Sequence, residues 1–235
     1  MTPGIGRIRI GLAVLVAAAL SMPAKGAIRG TIKLPADMDE HNFADAAKLP
    51  METAAKIAVK RAPGGILWAG LENLDGFLFY SVQVAARDGT IKMVTIDAGS
   101  GKVTGVESVT MAQEKELAAK EATDDAAKAK ADPGSEEARK AKQAAQPDPG
   151  PRFHSSVTVP ADADQIALGR SPKLSVFAAM AAARINVAGR IASVSLVSDH
   201  GNVYFAITVK EKNGDMTLVA VDAGNGQVLG TEPGG

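Results

Sequence analysis

The chain has 235 residues, with 26 Lys and Arg against 26 Asp and Glu, 46% apolar side chains and no cysteine. A net charge of zero argues against a nucleic-acid binder, which would carry a basic excess or stripe. The lack of cysteine excludes disulfides, thiolate metal sites, a lipidated N-terminal Cys and cysteine catalysis.

Residues 1–26 read as a secretory signal. Arg7 and Arg9 supply the positive start, Ile10 to Leu20 the apolar stretch, and Ala24 and Gly26 the small residues at −3 and −1 of a cut before Ala27. The apolar stretch falls short of the roughly 20 residues a spanning helix needs. The expected destination is therefore the periplasm or the outside of the cell, with no stable membrane span after cleavage.

The remainder repeats itself at an offset of 125 residues. Leu34-Pro35-Ala36-Asp37 returns as Val159-Pro160-Ala161-Asp162, and Asp97-Ala98-Gly99-Ser100-Gly101-Lys102-Val103 as Asp222-Ala223-Gly224-Asn225-Gly226-Gln227-Val228. A register kept without gaps through so many turns means two copies of one fold. The copies span residues 27–110 and 152–235, joined by a charged, Ala-rich spacer over 111–151. Acid-before-base pairs such as Glu116 and Lys120 support an exposed helix in the spacer. Asp132-Pro133-Gly134 interrupts it, so the expectation is a semi-rigid connector.

Within each copy the pattern predicts an α+β unit, one helix packed on an antiparallel β-meander. In the first, a short strand over 29–34 precedes a helix from Leu49 to Ala62, which carries Met51, Ala54, Ala55 and Ala58 at helical spacing and ends at Pro63-Gly64-Gly65. Strands over 66–73, 77–85, 91–97 and 102–107 follow, separated by Asp75-Gly76, Asp88-Gly89 and Gly99-Ser100-Gly101. The second copy places a short strand over 155–159 and a helix from Leu174 to Asn186 at the same stations, with Ser171 as its expected N-cap and Pro172 at its first position.

The helix ending in a proline turn, Tyr80-Ser81-Val82-Gln83-Val84, and the closing Asp97 to Val103 together resemble the PepSY domain. The second copy matches through Asp222 to Val228 but has Ala188 where the first has the turn proline. The resemblance implies an α+β module of exported bacterial proteins, found in propeptides of thermolysin-like metallopeptidases, where it is associated with inhibiting or guiding the enzyme. It implies no catalytic residues.

Candidate chemistry is sparse. Asp97, Gly101, Asp222 and Gly226 read as structural turn residues, an Asp opening a Gly-rich hairpin and capping its N–H groups. Gly99-Ser100-Gly101 has neither the GxGxxG spacing nor a following helix, which argues against a nucleotide. Asp37, Asp39 and Glu40, with Asp162 and Asp164 in the second copy, could supply oxygen ligands to Ca or another hard metal cation, although the spacing is not that of an EF-hand. No GxSxG elbow and no HExxH occur.

Along the second meander strand, Leu78, Tyr80, Val82 and Val84 alternate onto one face, the expected helix-covered core. The opposite face carries Phe77 and Phe79, with Tyr204 in the second copy. If a single helix covers each sheet, Phe79 and Tyr204 lie open, together with Trp68 on the neighbouring strand; packing of the units on each other, or the spacer, could instead cover them. The leading expectation is an exported, non-enzymatic protein that recognises a peptide or protein, for which a peptidase is one candidate, through Trp68, Phe77, Phe79 and Tyr204 and without a cofactor. The alternative is a periplasmic metal-binding protein using the acidic loops; an enzyme ranks third.

Overall fold

In the computed structural model, residues 28–109 and 150–234 are described. The signal segment and nearly all of the spacer lie outside them. After a 3₁₀ turn at Glu40–Asn42 come α1 (Phe43–Ala46), α2 (Met51–Arg61), β1 (Gly64–Leu74), β2 (Phe77–Ala86), β3 (Ile91–Asp97) and β4 (Val103–Val109). The second unit repeats the order as α3 (Gln165–Arg170), α4 (Val176–Asn186), β5 (Gly189–Asp199), β6 (Asn202–Glu211), β7 (Met216–Asp222) and β8 (Val228–Pro233). Each unit is the expected α+β arrangement of a principal helix and a four-stranded antiparallel meander.

The two meanders are halves of one sheet. All eight strands form a single sheet in the order β4-β3-β2-β1-β5-β6-β7-β8. The seam is an antiparallel pairing of β1 with β5, in which Trp68 faces Ser195, Ala69 faces Val194 and Gly70 faces Ser193. Ala69 and Val194 are equivalent positions in the two copies, so a local two-fold axis passes through that pair. Each unit alone would expose the edge of its first strand; pairing them leaves β4 and β8 as the outer strands among the described residues.

The helices are held by small residues. Ala54, Ala55 and Ala58 on α2, with Ala179 and Ala183 on α4, are at most 1% exposed, and their short side chains let the helix axes approach the sheet. They pack in one continuous core with Leu78, Tyr80, Val82 and Val84 and with their counterparts Val203, Phe205, Ile207 and Val209. Glu52 on α2 pairs with Arg184 on α4 at 3.0 Å, and Lys56 sits 6.0 Å from the centre of the Phe177 ring, so the two helices lie alongside each other across the seam.

The segments before the principal helices depart from expectation. The stretches expected as short strands make one isolated bridge each, Lys33 to Phe77 and Thr158 to Asn202. The N-cap of α4 is Ser175, whose side chain accepts from the Ala178 N–H; Ser171 instead ends α3. The helix therefore starts later than Pro172 suggested. The acidic stretches before the principal helices contain two further short helices, α1 and α3, and both cross the seam. α3 lies on β1 and β2 of the first unit, with Ile166 and Gly169 buried. α1 lies on β5 of the second, where the buried Lys210 ammonium bonds the Asp45 carboxylate at 2.7 Å and the Asn42 side-chain oxygen at 2.8 Å.

A Cβ on Gly65 would run into the carbonyl oxygen of Gly169, and one on Gly169 into the Ala85 methyl. That contact needs hydrogen at both positions. Gly65→Val should force α3 off the sheet and cost about 1–3 kcal/mol. A chain of this size then loses roughly 3–10 °C of Tm, read by circular dichroism; an unchanged melt would mean that α3 does not dock there.

Candidate functional site

The closing aspartates, repeated in both copies, build the fold. Asp97 Oδ1 accepts from the Ser100 N–H at 2.6 Å, the Ser100 hydroxyl at 2.7 Å and the Gly99 N–H at 3.1 Å, so it shapes the turn. It also accepts from the Thr31 hydroxyl at 2.6 Å, while Oδ2 accepts from the Thr31 N–H at 2.6 Å. Asp222 repeats the arrangement with Gly224, Asn225 and Ser156. Gly101 and Gly226 complete these turns with φ of 75° and 79°. The contacts from Thr31 and Ser156, which lie on the arms that lead into each unit (residues 28–34 and 152–159), were invisible in the sequence because the partners lie 66 residues away.

The same arms overturn the expected exposure of the aromatic face. Phe79 is 0% and Tyr204 3% exposed, so neither is an open recognition residue. Gly30 lies so close to Phe79 that a Cβ there would stand 3.0 Å from the ring, and Phe153 meets Tyr204 edge to face with centroids 5.3 Å apart. Asp97 and Asp222 hold the arms in place, which makes these rings core. Phe77 is half-buried at the start of β2.

Trp68 is different. It is half-buried beside the seam, and its indole lies over Gly70, where a Cβ would collide with the ring. It lines an open groove of about 230 Å³ with Ser193 and Thr208 from the second unit, Met216 at the start of β7, and Glu40 and His41 from the turn before α1. No hydrogen bond to the indole N–H or to the Ser193 and Thr208 hydroxyls is found among the described residues. The two-fold mate of this place is closed: Ile166 stands where the groove has His41, and Gly169 packs directly on Ala85. The offset of 125 pairs Trp68 with Ser193, His41 with Ile166 and Thr208 with Gln83. That mismatch was the available signal for the groove, but only the β1–β5 pairing puts these residues together.

The acidic loop residues are mostly occupied locally. Asp39 accepts from the His41 N–H at 2.8 Å and lies 2.7 Å from its ring Nδ1. Those hydrogen bonds, the backbone one foremost, lower the Asp39 pKa. Asp164 caps α3 by accepting from the Ala167 N–H at 2.7 Å, and Asp37, Glu40 and Asp162 are exposed. No group of three or more His, Asp or Glu side chains placed to hold a metal ion occurs among the described residues. No helix among them is long and apolar enough to cross a membrane.

The fold and this groove define a tandem α+β module, with no recognisable catalytic constellation among the described residues. Residues 48–107 match the family model described as Peptidase propeptide and YPEB domain, and the first unit is accordingly a PepSY domain. No curated protein matches the chain. Among solved structures, a protein described as a lipoprotein from Clostridium difficile 630 aligns over 84% of this chain and 97% of its own, at 17% identity and a TM-score of 0.36.

Burial works to raise the pKa of Asp97, but the hydrogen bonds from Thr31 and Ser100 prevail and hold it at about 2, below the ordinary 3.8. A depressed carboxylate stabilises the fold above its unfolded pKa, and that stabilisation fades as pH falls through the folded value. Asp97→Asn should therefore cost on the order of 2 kcal/mol at neutral pH. The gap between variant and parent should close between roughly pH 4 and pH 2, as followed by urea melts; a gap independent of pH would show that the charge of Asp97 is not what matters.

Proposed function

We propose that this is an exported, non-enzymatic binding protein that takes a peptide segment of a partner protein into the Trp68 groove. The observation that carries the reading is the groove itself. It presents an aromatic ring with a free N–H, two hydroxyls and the Met216 side chain beside the seam. Aromatic anchors with a polar handle are the residues most often dominant in protein recognition. An apolar side chain of the partner would sit against the indole and Met216, while its main chain would meet the indole N–H and the hydroxyls of Ser193 and Thr208. The family description names peptidase propeptides, which makes a secreted peptidase the first partner to try, as inhibitor or regulator. Export is supported by the leader-like residues 1–26.

Trp68 is the sole tryptophan of the chain, so its emission reports on the groove directly. Titration with a library of apolar peptides, and with secreted metallopeptidases of the thermolysin type, should shift that emission saturably. Ser193→Arg, which fills the groove, should weaken binding at least tenfold, a loss of about 1.4 kcal/mol, with little change in Tm. By contrast Phe79→Ala should cost about 3–5 kcal/mol of stability as a core truncation. A partner retained in full by Ser193→Arg would remove the groove from consideration.

A further inference from the structure

On the helix-covered side of the seam lies a second cavity, of about 240 Å³, lined by Lys48, Pro50, Met51, Glu52, Tyr80, Arg184, Arg190 and Ile191 among others. We propose that it binds a carboxylate carried on a small apolar group, such as the C-terminal residue of a peptide or a free organic acid. Three cations converge on it against one acid. Glu52 is already taken by Arg184 at 3.0 Å, and Lys48 makes no ion pair among the described residues. Arg190 is anchored by one nitrogen, which donates to the Ala47 carbonyl at 2.6 Å; the rest of its guanidinium fork is free for the bidentate geometry that carboxylates favour.

The two-fold mate of this cavity shows that the fold does not require such a lining. At the equivalent positions Glu52 becomes Phe177, Tyr80 becomes Phe205, Arg184 becomes Val59 and Arg190 becomes Gly65. The helix starts differ as well: Ser175 caps α4 with its side chain, whereas Pro50 gives α2 no side-chain cap. Of the charged lining only Lys48 recurs at the mate, as Lys173, so across the axis one place gathers three cations and a carboxylate and the other keeps a single lysine. Tyr80 adds a polar wall. Its hydroxyl donates to the Leu49 carbonyl at 2.6 Å and, pushed up to about 12 by burial, stays neutral.

The apolar members point to an organic anion over a bare inorganic one. Pro50, Met51 and Ile191 give the lining an apolar part, suited to a short aliphatic side chain, and Lys48, Arg184 and Arg190 give it positive charge. The opening is small, so one terminal residue fits and a folded domain does not.

Isothermal titration of the full protein with N-acetyl-leucine, N-acetyl-leucine amide, acetate and inorganic phosphate tests the assignment. The acetylated acid should bind with the amide at least tenfold weaker, and its affinity should fall as salt is raised. Lys48→Gln and Arg190→Gln should each weaken the acid at least fivefold, with Lys48→Gln leaving the melt unchanged because its side chain is exposed. A peptide ending in leucine that binds tighter than N-acetyl-leucine would identify a chain terminus as the source, and equal affinity a free acid. Phosphate binding tighter than the acid, equal binding of acid and amide, or no binding at all would overturn the proposal. Since Ser193→Arg blocks only the groove on the other face, it should leave this titration unaffected, which separates failure here from failure of the Trp68 reading.

Discussion

Everything distinctive in this molecule depends on the main-chain pairing of β1 with β5. A four-stranded meander with one helix can bury only one face and leaves its first strand as an open edge. Joining the two first strands about the axis at Ala69 and Val194 removes both of those edges. It also brings α2 beside α4 over a shared core and gives α1 and α3 a neighbouring unit to cross onto. The groove at Trp68 and the cavity at Arg190 both straddle that pairing. Neither would exist in an isolated unit.

Near-symmetry makes the departures from it informative. Positions that shape turns or core keep their character across the copies, as Asp97 and Asp222, Gly101 and Gly226, and Val82 and Ile207 do. The groove and the cavity are bounded by positions that do not. His41 opposite Ile166, Trp68 opposite Ser193 and Arg190 opposite Gly65 each place a polar or aromatic group on one side of the axis and a small or apolar one on the other. The filled side supplies packing and the unfilled side supplies an opening, so the molecule is one scaffold with two unlike ends.

The arms show how a conserved turn can hold more than itself. An Asp opening a Gly-rich hairpin satisfies local N–H groups whatever surrounds it. Here the unused lone pairs reach Thr31 and Ser156, pinning each arm beside an aromatic residue of the sheet. Phe79 and Tyr204 become interior as a result, and on that sheet face Trp68 stays half-buried beside an open groove.

By itself the sequence determined the duplication, the α+β class, the strand limits to within about two residues and the core face of β2. Those follow from turn residues and a two-residue period that act over short distances. It could not reach the eight-stranded sheet, since any two exposed strand edges offer the same unpaired N–H and C=O groups and the pattern does not name the partner. It missed α1 and α3 because each is short, and α3 owes its place to Gly65, Gly169 and Ala85 touching across units. The fate of Phe79 and Tyr204 was decided in the same way, by arms fastened from 66 residues away. Local chemistry wrote the elements; only the tertiary structure decided which of their faces stayed open, since exposure is set by neighbours distant in the chain.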